Sequence, residues 1–144
     1  MQTRDINNLE LECSVLELLS SAFRALLFEP KIRRLSGIER QKIERAREIM
    51  LERMANPPSL VELSRMIGLN DNKLKIGFKE LYGTTVFGYL REKRLEKAFL
   101  LLQQGNLNVN ETSLTVGYSN PSYFSEAFRD KYGVNPGNLR RRSF

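Results

Sequence analysis

Two short stretches of the chain carry polar side chains at spacings of three and four residues, which place them on one face of a helix. Amide, ammonium, hydroxyl and carboxylate groups on such a face can pair with base edges in the major groove of DNA. The candidate residues are Asn72, Lys73, Lys75, Ile76 and Lys79 in the first stretch and Asn120, Ser122, Ser125, Glu126 and Arg129 in the second.

The residue types in these stretches predict different contacts. Asn72 suits adenine, Lys75 suits guanine, and Glu126 suits the amino group of cytosine. Lys79 and Arg129 come later in each stretch and suit phosphate oxygens, which fix register without reading sequence. The alternative for any one residue is a solvated surface side chain, but the matched positions in both stretches favour binding for the set.

The two stretches belong to two copies of one longer pattern, residues 60–83 and 109–133. The second copy is one residue longer between its glycine and its phenylalanine. The duplication predicts two units of the same fold. Matched pairs are Glu62 with Glu111, Ser64 with Ser113, Gly68 with Gly117, Phe78 with Phe128, Lys79 with Arg129, and Tyr82-Gly83 with Tyr132-Gly133.

Each copy has the start and stop signals of two short helices joined by a turn. Ser59 with Glu62 forms a capping-box signature, and Gly68 marks the turn. Asn70 or Asp71 can cap the next helix. The sequence therefore predicts helix-turn-helix units at about 59–83 and 108–133. The inward side chains are predicted to be Leu74, Phe78 and Leu81 in the first unit and Phe124 and Phe128 in the second.

The segment between the copies predicts one long helix from Thr85 to about Gln104, ended by Gly105. Val86, Leu90, Ala98, Leu101 and Leu102 recur along it at helical spacing. About 20 residues at about 1.5 Å each span roughly 30 Å, close to the roughly 34 Å of one DNA turn. This helix is therefore predicted to set the distance between the units.

Two helices are predicted before the copies. Residues 6–28 form an amphipathic pattern that includes Cys13, and a basic linker follows to residue 35. This part is either a dimerisation element, which the heptad spacing favours, or a helix packed on its own domain. A second helix is predicted from Ile38 to about Met54, with Ile43, Ala46, Met50 and Met54 inward. We therefore divide the chain into residues 1–35 and 36–144.

Composition limits the classes of function. The chain has 144 residues, 41% of them hydrophobic, no histidine and one cysteine, so zinc sites and histidine-based catalysis are nearly excluded. We predict no enzyme activity and no cofactor. Most of the net charge of +6 lies in residues 58–144, which favours a polyanionic partner. No segment suits a membrane span or a secretory signal, which predicts a cytoplasmic, nucleoid-associated protein.

Residues from about Ile38 to Arg142 resemble the DNA-binding domain of the AraC/XylS family of bacterial transcription regulators. The resemblance rests on SLVELSRMIGL and KLKIGFKELYG in the first unit, on YLREKRLEKAFLLL in the linker, and on VGYSNPSYFSEAFRDKYGVNP in the second unit. The stretch KLKIGFKELYGTTVFGYLR further resembles regulators of siderophore uptake of the pyochelin type. The scarcity of strand signals and the many helical periods predict an all-α fold. The resemblance implies double-stranded DNA with a bipartite site, RNA polymerase as a partner, and a separate sensing or dimerising domain, of which residues 1–35 resemble the remnant.

The chain departs from the family pattern at four positions. Ile76 and Glu126 stand where arginine is common in the recognition helices, which removes bidentate guanine contacts. Thr112 and Ser113 stand where the family prefers isoleucine and alanine, which predicts a more polar and looser second unit.

A sequence-specific transcription regulator, acting as an activator, is the function we predict. An architectural DNA-binding protein and a dimerising module that has lost DNA readout are the alternatives.

Overall fold

The computed structural model describes residues 35–142, and their regular structure is α-helical with no strand in this part of the chain. The chain divides into Met1–Arg34 and Leu35–Phe144. The predicted amphipathic helix at 6–28, most of the linker after it and the dimer contact lie outside the described residues. No helix between residues 35 and 142 is long and apolar enough to cross a membrane.

Seven helices follow one another along the described part of the chain. Their bounds confirm the predicted all-α fold, two helix pairs and a long helix between them. The helices are α1 (Gly37–Glu52), α2 (Leu60–Ile67), α3 (Asp71–Tyr82), α4 (Val86–Gln104), α5 (Val109–Val116), α6 (Pro121–Tyr132) and α7 (Pro136–Arg142).

Helix starts follow the capping chemistry of the sequence. Ser59 Oγ accepts the Glu62 backbone N–H at 3.2 Å, and Glu62 accepts the Ser59 N–H at 3.0 Å. Asn108 and Glu111 form the same reciprocal pair before α5, at 2.8 Å in both directions. A further capping box, formed by Ser36 and Glu39, precedes α1. The helix begins at Gly37, one residue before the predicted start at Ile38. α1 ends at Glu52, two residues before the predicted end at about Met54, because the backbone turns there and the Asn56 N–H donates to the Arg53 carbonyl.

Two hydrophobic cores form, one for each helix pair. α4 contributes to both, because Val86 and Leu90 lie in the first core and Leu95, Ala98 and Leu102 lie in the second. Leu81, which we predicted to face inward, is only partly buried at the margin of the first core, and Leu101 of the apolar pattern in α4 is partly buried at the margin of the second. The first half of α4 therefore belongs to the first unit and the second half to the second unit.

The duplication extends into the helices that support each pair, which the sequence comparison missed. KIERA in the middle of α1 and RLEKA in the middle of α4 occupy equivalent places. Ile43 and Ala46 are fully buried in the first core, as Leu95 and Ala98 are in the second. α7 in turn follows the second pair as the start of α4 follows the first. Each unit is therefore a helix pair held between a supporting helix and a closing helix.

The second unit is packed with more polar groups than the first, as predicted. Thr112 is fully buried where the first copy has Leu63, and Ser113 is buried beside it. The Ser113 hydroxyl donates to the Tyr118 carbonyl at 3.2 Å. Within residues 35–142 the Thr112 hydroxyl oxygen has no hydrogen-bond partner. A buried unpaired hydroxyl of this kind costs about 1–3 kcal/mol.

Candidate nucleic-acid interface

α3 is held in one rotational position by its cap and its buried face. Asn70 Oδ1 accepts the Lys73 backbone N–H at 2.7 Å. Leu74 and Phe78 are fully buried against α1 and α4. The residues left on the outer face of α3 are Asn72, Lys75, Ile76 and Lys79, all exposed. Four of the five predicted residues of the first unit therefore share one face.

Lys73 lies apart from this face. Its ammonium is 3.5 Å from the carboxylate of Glu39 on α1, and its side chain is 42% exposed. The partner of Lys73 is 34 positions away in sequence, which is why the local pattern gave no sign of the contact. The structure therefore places Lys73 where it joins α3 to α1.

α6 repeats the geometry of α3. Asn120 Oδ1 accepts the Ser122 backbone N–H at 2.9 Å and that of Tyr123 at 3.4 Å, so the amide oxygen of Asn120 is engaged in the helix cap. Phe124 and Phe128 are fully buried. Of the other predicted residues, Ser122, Glu126 and Arg129 are exposed and Ser125 is partly buried.

Aromatic rings fix α3 and α6 to α4. Phe78 and Tyr82 of α3 lie 4.7 Å apart between ring centroids, and Phe78 meets the edge of Tyr89 at 5.6 Å. In the second unit Tyr132 lies 4.8 Å from Phe128 and 4.7 Å from Phe99 of α4. Such pairs add about 0.5–1.5 kcal/mol each beyond burial. The Phe-x-x-x-Tyr spacing of both copies therefore serves to hold the helix that carries the candidate contacts.

A groove of about 480 Å³ runs between the first half of α4 and α6. It includes Glu126 among the predicted residues, together with side chains that sequence reasoning missed. Tyr123 is 68% exposed on the first turn of α6, and Phe87 is 44% exposed on α4. Tyr123 occupies the place of Lys73 in the repeat. Because Lys73 was a predicted site residue, this correspondence was the signal in the sequence that could have pointed to Tyr123. The other groove residues are Leu90, Arg91, Arg94, Tyr118, Ala127 and Asp130.

Residues 63–142 match a family model described as a helix-turn-helix domain. Two regulatory proteins are equally similar to the chain. The transcriptional regulator GlxA of Rhizobium meliloti is 38% identical over 72% of this chain and 30% of its own length. The regulatory protein PchR of Pseudomonas aeruginosa is 38% identical over 74% of this chain and 36% of its own length. The chain thus spans about a third of these relatives, and the siderophore-type branch stays a prediction.

The fold also matches a solved structure. A transcriptional regulator with an AraC-type DNA-binding domain from Chromobacterium violaceum superposes with a TM-score of 0.66 at 26% identity, over 75% of this chain and 96% of that one. The match covers the described helices as one all-α fold. The chain belongs to the AraC/XylS family and carries its helix-turn-helix DNA-binding domain.

Proposed function

We propose that the chain reads a bipartite DNA site through the outer faces of α3 and α6. The observation that carries this proposal is that the same cap and the same buried pair of residues turn the same face outward in both units. One helix, α4, takes part in both cores and therefore connects the two faces. A helix in the major groove presents such a face to base edges.

Individual roles follow from side-chain chemistry. Asn72 and Lys75 contact base edges in the first segment, with adenine and guanine as their partners. Ile76 is 55% exposed and offers an apolar contact, for which the methyl group of thymine is the natural partner. Lys79 and Arg129 lie at the later end of each helix and contact phosphates.

The second segment is read more weakly by hydrogen bonds. Ser122 and Ser125 accept or donate to several bases and so discriminate little. Glu126 accepts from cytosine N4 but repels phosphates. The structure of α6 thus favours a second segment that contributes affinity mainly through Arg129 and specificity mainly through Glu126.

The biological role of the whole protein is part of the same proposal. By resemblance to the family, the protein regulates transcription, as an activator that contacts RNA polymerase, and it works in the cytoplasm on the nucleoid. Residues 6–28 pair two copies of the chain. GlxA and PchR are regulators by name, and their similarity to this chain supports the regulatory role.

Selection of bound sequences from a random DNA pool, followed by footprinting, tests the proposal. We expect enrichment of two conserved segments centred about 10 base pairs apart on one face of the duplex. Binding without enrichment, with a steep dependence on salt, would instead support an architectural role, which the missing arginines at positions 76 and 126 would explain. No binding to any pool would support an interaction module.

A further inference from the structure

Arg94 lies in α4 at the point where the helix passes from one core to the other. The first core takes Leu90 from α4 and the second takes Leu95. Arg94 Nε and Nη2 both donate to the backbone carbonyl of Met54, at 3.0 and 2.7 Å. Met54 follows α1 and is buried in the first core. A residue beside the second core is therefore bonded to the backbone of the first unit.

The same guanidinium contacts the second unit. Its central carbon is 5.7 Å from the centroid of the Tyr118 ring, which packs against the second core. Burial lowers the pKa of Arg94 below its ordinary value, although an arginine stays charged. Charge-assisted bonds from a partly desolvated guanidinium are stronger than neutral ones, so Arg94 connects the two units with strong bonds.

Gly117, in the turn of the second helix pair, lies directly against this contact. A Cβ added at Gly117 would be 2.8 Å from the Met54 carbonyl oxygen and 2.9 Å from Ala55 Cα. Its φ of 103° also disfavours any other residue. The backbone that follows α1 therefore touches the backbone of the second turn, which is possible only where residue 117 has no side chain.

The repeat shows that this contact is specific to the junction. Lys42 is the equivalent of Arg94 in the KIERA copy, and its ammonium donates to the carbonyl of Gly68 at 3.0 Å, within its own unit. Gly68 is the equivalent of Gly117, and the described atom nearest its added Cβ is Lys42 Nζ at 3.5 Å. Residues 53–59 separate α1 from α2, whereas only residues 105–108 separate α4 from α5. The longer connection in the first unit supplies Met54 and Ala55.

We propose that Arg94, the Met54 carbonyl and Gly117 form a lock that fixes the two helix-turn-helix units in one mutual orientation. Arg94 is thus a positioning residue for DNA binding. Without the lock, α4 alone joins the units, and bending between Leu90 and Leu95 changes the angle between the recognition helices. The lock fixes the orientation of the two units whether or not DNA is bound. Its effect on the preferred spacing of the two DNA segments rests on the proposed bipartite binding.

The first test measures the orientation in the free protein. Spin labels are placed on exposed Arg65 in α2 and exposed Asn110 in α5, with Cys13 replaced by serine, and the distance distribution is recorded. We expect one narrow distribution for the wild type and a clearly broader one for Arg94→Met. Arg94→Lys keeps the positive charge but cannot form the same two hydrogen bonds, so the width of its distribution should lie between those of the wild type and Arg94→Met. Equal widths for wild type and Arg94→Met would overturn the proposal.

Two variants serve as matched controls. Lys97→Met removes one positive charge from exposed α4 surface one turn later, and Lys42→Met removes the equivalent residue of the first unit. Both should keep the narrow distribution. If Arg94→Met does not fold, as judged by helical circular dichroism, Arg94→Lys and Gly117→Ala carry the test, with Gly68→Ala as the control for loss of a turn glycine. Broadening in Gly68→Ala equal to that in Gly117→Ala would count against the lock.

The second test measures DNA affinity against spacer length. Adding five base pairs between the two DNA segments should weaken wild-type binding by about tenfold or more, as for lost base contacts. Arg94→Met should bind the site of preferred spacing more weakly than the wild type does, but it should lose clearly less affinity on the longer site. A flat wild-type profile would reject the bipartite function and leave the lock to be judged by the label distances. If Arg94→Met shows the same dependence of affinity on spacer length as the wild type, the lock is rejected.

Discussion

Ile76 and Glu126 occupy equivalent outward positions on α3 and α6, the helices that we propose to read DNA, and both lie on exposed surface. One offers a branched apolar side chain and the other a carboxylate, so the two units cannot recognise the same base in the same way. Under the proposed function, a duplicated fold therefore carries two different recognition surfaces. We expect the two halves of the bound site to differ in sequence.

Lys75 and Lys79 allow the proposed base-reading role and the proposed phosphate-binding role to be tested separately. Lys75→Ala should cost about 1–3 kcal/mol on the preferred site and relax preference at one base pair. Lys79→Ala should weaken all sequences alike and reduce the salt slope by about one. Titration of each variant against a preferred and a mismatched duplex gives the comparison. Equal losses on both duplexes for Lys75→Ala would move that residue to the phosphate contacts.

Thr112 offers a test of the polar packing in the second unit. Thr112→Val removes the buried unpaired hydroxyl at similar volume and should raise the free energy of unfolding by about 1 kcal/mol. Thr115→Val is the control, since Thr115 is exposed and its hydroxyl donates to the Glu111 carbonyl at 2.7 Å. That change should stay within about 0.5 kcal/mol. Urea denaturation measures both, and a destabilised Thr112→Val would show that the hydroxyl has a function in the fold.

At the scale of the helices, we expect the stabilisation by the ring contacts between α4 and the helices α3 and α6 to depend on pH. Burial raises the pKa of the Tyr82 and Tyr132 phenols. Because the folded pKa lies above the unfolded value of about 10, their contribution is full below about pH 10 and is lost as pH rises through the folded pKa. Stability of the wild type should therefore fall in alkaline solution, as measured by thermal unfolding across about pH 9 to 11.

The tyrosine variants identify the source of that fall. Tyr82→Phe and Tyr132→Phe keep the packed ring and remove the ionisable group, so each should flatten the alkaline part of the profile. Tyr123→Phe changes an exposed tyrosine on α6 and should leave the profile as it is in the wild type. An unchanged profile in the Tyr82→Phe, Tyr132→Phe double variant would contradict the assignment.

Local signals in the sequence were sufficient to predict most of the helix boundaries and the residues on the outward face of α3. Ser59, Asn70 and Asn108 act on backbone groups only three positions away, so their role is visible in a short window. The contacts of Lys73 with Glu39 and of Arg94 with Met54 join positions 34 and 40 residues apart. Such partners depend on how helices pack, and no spacing rule within one helix reveals them.

At the scale of the whole molecule, the two cores share a helix but no buried side chain. Leu102→Ala should destabilise the second unit by about 2–5 kcal/mol and raise amide exchange in α5 and α6 more than in α2 and α3. Leu63→Ala, in the first core, should show the reverse pattern. Uniform exchange in either variant would show that the units unfold together.

The junction inside α4 constrains how such a protein can change in evolution. One residue inserted between Leu90 and Leu95 would turn the second unit by about 100° and shift it by about 1.5 Å relative to the first, and it would also carry Arg94 away from Met54. Small insertions are tolerated in surface loops, but here the boundary between the copies lies within a helix. Under the proposed bipartite binding, DNA sites with a different spacing are therefore out of reach by single insertions in α4, and descendants of this chain would diversify through the outer faces of α3 and α6 instead.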